Sequence, residues 1–581
     1  MRRLWLLLAG LLLTTVLAAP AHTRTTPRDE VRVLVDVSGS MKHNDPRSLR
    51  APALRLLVNL LPPDSRAGVW TFGEGTTALV PPAEVTDGWR RQALAASAKI
   101  HSRDQRTDIG AGLKAASRDW HGPDPGSRRN LIILSDGMVD VSKVAAANTR
   151  AREEILQQLL PALRRARVRV HAIALSSSAD RALLQALATG TDGGYAEAES
   201  ADQLQRLFLR MFERSVQRDA LPLQDNRFKV DPSVRELTLL AFRKPEAAPT
   251  RLRPPRGQAF AADRVPAGVR WHREAGYDLV TINNPEPGEW TLQADIDPDN
   301  RVLIVTDLAL AVSPIPNNVF TGETLPLRIA LSERGNAITR QDFLSLLSVQ
   351  VEQRPAGAAP RRWLLADNGM GDDGLGGDGV FSLALSRVLV PGQHELLVDV
   401  DGKTFRRQQR HTVTVFTSPL DVEVVDQPGT GRSLLLRQSV DWVDPASLKV
   451  GARLMRLGQG GDQLTLPRLP SGEWRLDLPD SDDSHLRVEL EATGRTASGR
   501  PFTVRLAPVE FAPPPVQPVP EAPEPAVSAN WPLVGAVLFT GNVAVFAALA
   551  LAVYLLRRRR RRSPSFGDLR LPAPPSESES K

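Results

Sequence analysis

VRVLVDVSGSM, residues 31–41, is the stretch whose reading decides the fold. Val31, Val33, Leu34, Val35 and Val37 form a nearly unbroken apolar, mostly β-branched run. That is the pattern of a parallel strand buried on both faces. A strand of this kind ends at the ligand-binding edge of its sheet. There Asp36, Ser38 and Ser40 present one carboxylate and two hydroxyls, hard oxygen donors suited to a small divalent cation. Asp and Ser are also common turn residues, so the spacing needs support from elsewhere in the chain.

That support lies within residues 28–218, where strand-like and helix-like runs alternate. Strands are expected at Val31–Val37, Gly68–Phe72, Asn130–Leu134, Val168–Leu175 and Gly194–Ala198. Helices are expected at Ser48–Leu61, Ile109–Trp120, Ala145–Ala166, Ala179–Thr189 and Ala201–Val216. Pro52 is tolerable because it falls in a first helical turn. Such alternation means a doubly wound α/β domain, a mostly parallel sheet with helices on both faces. RTDIGAGL places Thr107 just before a helix, and LIILSDG places Asp136 at the end of an apolar strand.

D-x-S-x-S, Thr107 and Asp136, followed by VRVHAIAL and TGTDGGYAEA, resemble the von Willebrand factor A (VWA) domain and its metal-ion-dependent adhesion site, over roughly 190 residues. The resemblance implies that Ser38, Ser40 and Thr107 ligate Mg²⁺ or another divalent cation, with Asp36 and Asp136 acting directly or through water. It also implies a coordination position open to an Asp or Glu carboxylate of a protein partner. An ion that only stabilises the domain is compatible with the same residues.

After Asp219 helical periodicity gives way to short alternating strands, prolines and turn residues. PEPGEWTLQAD, VPGQHELLVDVDG and LPSGEWRLDLPD each set a Pro/Gly turn before an alternating strand, which counts three all-β, immunoglobulin-like sandwich modules at 219–308, 309–416 and 417–511. VDPSVRELTLL with PGEWTLQ is similar to the sandwich that follows the VWA domain in calcium-activated chloride channel regulators. In the second module Asp367, Asp372, Asp373 and Asp378 crowd into one glycine-rich loop. Its GDGVFS resembles a loop of immunoglobulin-like modules in secreted bacterial proteins and in those regulators. Crowded carboxylates favour a cation, here Ca²⁺; a plain hairpin turn is the alternative.

The ends set the topology. Residues 1–21 read as a secretory signal, with Arg2 and Arg3, an apolar run and Ala19-Pro20-Ala21. Residues 512–530 are a Pro-rich spacer. Residues 531–556 carry no charge and are long enough to span a bilayer, with Asn542 and Gly541 inside. Residues 557–581 form a basic, Ser/Pro/Glu-rich tail. Arg557–Arg562 place that tail in the cytoplasm, so the expectation is a single-pass type I membrane protein with its bulk exported, periplasmic in a Gram-negative cell. Of the net charge of +7, the signal contributes two and the tail five, with eight basic and three acidic residues. Residues 22–556 are therefore neutral overall, which argues against nucleic acid as a partner. With no cysteine, the exported modules depend on their own cores, and thiolate chemistry is excluded.

Catalytic patterns are not found. His394-Glu395 begins like H-E-x-x-H, but Val398 stands where the second His belongs, and the segment alternates as a strand. His171 reads as packed or hydrogen-bonded, and His43 as solvated near the metal loop. The expectation is a binding protein, not an enzyme: a membrane-anchored receptor for metal-dependent adhesion or protein interaction. A structural or regulatory subunit of an envelope complex, by analogy with bacterial VWA membrane proteins, is the alternative. A hydrolase of unrecognised type ranks third.

Overall fold

A computed structural model describes residues 27–199, 203–244, 246–385, 390–427, 431–456, 459–478, 486–511 and 531–560. The expected signal, spacer and most of the tail lie outside these residues. Two compact units are present, residues 1–512 and 513–581.

In the first unit, β1 (Arg28–Asp36), β2 (Arg66–Phe72), β3 (Thr76–Glu84), β4 (Ser127–Ser135), β5 (Val168–Leu175) and β6 (Tyr195–Ala198) make one sheet ordered β3-β2-β1-β4-β5-β6. All neighbours are parallel except the β2–β3 pair. β1 is central, with Val35 level with Thr71 on one side and Leu134 on the other. Its alternate residues feed two cores. Val31, Val33 and Val35 pack with the helix Arg50–Leu60, while Leu34 packs with the helix Ile109–Ala116. This is why the run is apolar on both faces.

Elements that were not expected include two short turns of helix at Met41–Asn44 and Ser97–Lys99, the antiparallel edge strand β3 and the helix Asp87–Ala96. β3 carries Pro81 and Pro82, which a strand tolerates at a sheet edge. The helix is capped by Thr86, whose hydroxyl accepts from Trp89 N at 3.1 Å. The helix expected at Ile109–Trp120 stops at Ala116, where the Ser117 hydroxyl donates to Leu113 O at 2.7 Å. That expected at Ala145–Ala166 is helical from Ala145 to Arg165, with a π-helical turn at Ile155–Leu159.

The remaining strands of this unit form three pairs of sheets, each pair enclosing an apolar cluster. The first pair takes strands between Arg227 and Thr306, the second between Leu308 and Phe416, the third between Leu420 and Phe511. They are packed together rather than strung on linkers. Leu204, Phe208 and Phe212 of the helix Leu204–Ser215 share a core with Leu240, Tyr277 and Leu303 of the first pair. Arg407, fully buried, bonds Asp231 at 2.7 Å and Leu308 O at 2.8 Å, joining the first pair to the second. Phe320 stacks on Trp442 at 4.5 Å between ring centroids, joining the second to the third.

The second unit contains the helix Trp531–Arg560, long and apolar enough to cross a membrane.

Candidate metal centre

β1 and β4 are neighbours and parallel, so Asp36 and Asp136 reach the same sheet edge from adjacent strand ends. Asp36 is fully buried. Its Oδ1 accepts from Ser38 N at 2.8 Å and its Oδ2 from Ser135 Oγ at 2.6 Å. The first bond folds the chain back on itself and turns Ser38 and Ser40 towards Asp136. Ser38 Oγ lies 3.0 Å from Ser40 Oγ, and Ser40 Oγ donates to Asp136 Oδ1 at 2.8 Å. Ser38 Oγ is 3.5 Å from that same carboxylate oxygen. Asn44 Nδ2 donates to Asp136 Oδ2 at 2.9 Å.

Thr107 enters from the loop ahead of the helix Ile109–Ala116. A two-way backbone bridge with Asp140 fixes it, at 2.9 and 3.0 Å. Its hydroxyl lies over Gly137, where an added Cβ would stand 3.2 Å from Thr107 Oγ1. The next residue, Asp108, caps the helix by accepting from Ala111 N at 2.8 Å. The five expected residues therefore converge, two carboxylates and three hydroxyls drawn from three loops.

Other residues hold this cup in shape. Asp104 O accepts from Gly39 N at 2.7 Å, and Asp104 Oδ2 accepts from Glu74 N at 3.0 Å. A side chain at Gly73 would collide with that carboxylate, 2.4 Å from its Oδ2, so only glycine fits there. Arg50 is fully buried. It donates to Asp36 O at 2.5 Å and pairs with the buried Asp45 at 2.7 Å. Sequence reasoning passed over Ser135, Asn44, Asp104 and the Arg50–Asp45 pair. Ser135 could have been found, since it directly precedes Asp136 in LIILSDG. The others carry no local pattern.

Burial pushes the Asp36 carboxyl up to about 6, against the hydrogen bonds from Ser135 and Ser38. Burial also raises Asp136, opposed by Asn44 and Ser40. Neither carboxylate has a cationic side chain bonded to it; Arg50 meets Asp36 only at its backbone oxygen. Two buried carboxylates short of positive charge, ringed by hydroxyls, are a fitting donor set for a hard cation. Among the described residues no three His, Asp or Glu side chains group as metal ligands.

The aspartate loop is built differently. Asp367 accepts from Gly377 N and Gly379 N at 2.5 and 2.9 Å, and Asp373 from Asn368 N and Gly369 N at 2.8 and 2.7 Å. Asp378 accepts from Val380 N, and Asp372 from Ala384 N. Each of the four carboxylates thus accepts from backbone amides, Asp367 and Asp373 within the loop and Asp372 and Asp378 on the strand Val380–Leu385 that follows. His394 is buried on the strand Gly392–Asp401, between Gln353 Nε2 and Val390 O, each at 2.7 Å. His171, also buried, meets Asn130 Oδ1 and Gly194 N, each at 3.1 Å. His43 is exposed.

Residues 29–197 match the von Willebrand factor type A domain model. The chain thus carries an N-terminal VWA domain, followed by many β-sheets and one apolar C-terminal helix. A von Willebrand factor type A protein from Catenulispora acidiphila is similar at 16% identity over 54% of this chain and 65% of that one, with a TM-score of 0.28. Proximal thread matrix protein 1 from the mussel byssus, solved with a zinc-occupied MIDAS motif, is similar at 17% identity over 34% of this chain and 50% of that one, TM-score 0.26. An aerotolerance-related membrane protein from Bacteroides fragilis is similar at 17% identity over 32% of this chain and 98% of that one, TM-score 0.23. The chain spans less than two thirds of the first two of these proteins. Comparison with curated proteins gives no match.

Proposed function

We propose that the VWA domain captures a protein partner through a divalent cation held by Asp36, Ser38, Ser40, Thr107 and Asp136, and that the chain is a binding protein rather than an enzyme. The observation that carries this reading is the convergence of Ser38 Oγ, Ser40 Oγ and Asp136 Oδ1 within 3.5 Å of one another at an open sheet edge, with no cationic side chain among them. Hard oxygen donors of this number suit Mg²⁺. When bound, the cation supplies a Lewis-acidic position for an Asp or Glu carboxylate of the partner. Asp36, bonded at both oxygens, keeps the loop turned so that the serine hydroxyls face the edge. Ser40 and Met138 are exposed beside the cup, so a ligand reaches it from solvent.

In this reading the three sheet pairs are immunoglobulin-like modules at 219–308, 309–416 and 417–511. The bilayer is crossed at 531–556 in this reading, with residues 557–581 cytoplasmic. Shared cores and buried ion pairs hold the modules to the VWA domain and to one another.

The test is capture of envelope proteins by the purified full-length chain, in Mg²⁺ and in EDTA, beside Asp36→Ala. A partner retained only by the wild type in Mg²⁺ is expected. Equal retention by folded Asp36→Ala in EDTA would mean that another face binds.

A further inference from the structure

At the opposite end of the same sheet, the first residues of β4 and β5 border a cavity of about 540 Å³. Its other walls come from the helix Leu204–Ser215, from Asn317 and His411 of the second sheet pair, and from Arg500 of the third. The length of β5 puts it roughly 25 Å from the metal centre.

The lining is strongly cationic, with seven arginines against Asp192 and Glu213. Arg128 is paired with Asp29, Arg169 with Asp192 and Arg500 with Glu323. Glu213 is paired with Arg301. Arg164, Arg167 and Arg214 form no ion pair among the described residues, although Asp192 stands near enough to Arg214 to favour its charge. Arg164 donates to Gly190 O at 2.8 Å, and Arg167 is exposed.

Arg214 is the telling residue. It is only 8% exposed, yet Nε and Nη1 have no hydrogen-bond partner, and Nη2 makes only a 3.4 Å contact with Thr414 Oγ1. In the same lining His411, 7% exposed, has no partner at Nε2. A buried guanidinium without an acid is costly, and such groups are normally satisfied. Burial lowers Arg214 to about 10 and His411 to about 4, so the guanidinium stays charged and the imidazole neutral at pH 7.

We propose that this cavity binds a phosphate group, free or on a small phosphorylated molecule, with Arg214 as its anchor and Arg164 and Arg167 as further charge. Guanidinium forks match phosphate oxygens, and three unpaired arginines suit a dianion better than a single carboxylate. Asp192 opposes an anion, but its carboxylate already takes Arg169 and the Asn317 and Asn318 amides. The cavity exceeds one phosphate ion, leaving room for a small organic group against Pro314 and Ile315. Because three parts of the chain share the walls, an occupant would brace their junction. This inference does not depend on the proposed function of the metal centre.

Thermal unfolding of the full-length chain in detergent micelles at pH 7.5 tests it, along a sodium phosphate series held at constant ionic strength with sodium chloride. The wild-type midpoint is expected to rise saturably by a few degrees. Arg214→Gln should lose that rise while matching or exceeding the phosphate-free wild-type midpoint. Arg167→Gln, at an exposed position, should fold and shift the phosphate curve several-fold to higher concentration. In a parallel glycerol phosphate series, half-saturation below that of phosphate assigns a phosphorylated molecule, and equal half-saturation assigns free phosphate. No phosphate-specific rise in the wild type overturns the proposal, as does an unchanged curve in Arg214→Gln. Should that variant not fold, an unchanged curve in Arg167→Gln overturns it.

Discussion

Ser135 Oγ donates to Asp36 Oδ2 at 2.6 Å, tying the ends of two parallel strands together beneath the candidate metal centre. Asp36 is fully buried, so this hydroxyl stands in for water that the carboxylate has lost. Ser135→Ala leaves a buried carboxylate oxygen without its donor. It should destabilise the VWA domain by about 1–3 kcal/mol, read from the denaturant midpoint. Valine at the same position should cost at least as much, because shape does not replace the donor. An unchanged midpoint in both variants would show that Asp36 does not need the bond.

A second prediction concerns Arg50 and Asp45, both buried and 2.7 Å apart. Asp45→Ala strands a guanidinium that also holds the backbone oxygen of Asp36. Removing one member of a buried pair costs about 3–5 kcal/mol. The double change Arg50→Met with Asp45→Leu should recover much of that loss in chemical denaturation. Metal binding should remain impaired in it, since the support under Asp36 is gone. Full recovery of both properties would reduce the pair to packing.

pH dependence should appear where the VWA domain meets the first sheet pair. Arg55 Nε donates to Glu274 Oε1 at 2.5 Å, and His272 Nε2 is 3.0 Å from the same oxygen. Burial pushes Glu274 up, but the hydrogen bonds from His272 and Arg55 outweigh it and bring it to about 2. A carboxyl depressed on folding binds fewer protons in the native state. Its contribution is full above the unfolded value near 4.5 and is lost as pH falls towards 2. Glu274→Gln should thus be less stable than the wild type at pH 6, and the gap should close below pH 4. A gap independent of pH would place the effect in packing alone.

The aspartate loop gives the fourth prediction. Asp373 accepts two loop amides, and Asp367 accepts from Gly377 N and Gly379 N. Asp373→Ala should therefore destabilise the second sheet pair without added Ca²⁺, seen as faster proteolysis in the loop. Millimolar Ca²⁺ should leave the wild-type rate unchanged. Protection by Ca²⁺, abolished in Asp372→Ala with Asp378→Ala, would support the cation reading.

Much of this architecture was legible because it is local. Val31–Val37 announces a doubly buried strand, and β5 matches its expected limits from Val168 to Leu175. The five oxygen donors were proposed from their resemblance to the VWA adhesion-site motif, whose residues fall near strand ends and helix starts. β3 was missed because Pro81 and Pro82 disguise an edge strand whose partner supplies its register. Support from Arg50, Asp45 and Asp104 was invisible because it depends on which loops meet, not on spacing. The same holds for Arg214, one arginine among many until its lack of an acid is seen in three dimensions.

In the proposed reading one divalent cation sits among Asp36, Ser38, Ser40, Thr107 and Asp136. Calorimetric titration of the full-length chain with Mg²⁺, after chelation and dialysis, tests it most directly. One saturable site is predicted for the wild type, lost in Asp36→Ala and weakened about tenfold or more in Thr107→Ala, a loss of about 1.4 kcal/mol. His394→Ala should titrate like the wild type. Equal Mg²⁺ binding in folded Asp36→Ala, or none in the wild type, would show that these five residues hold no cation.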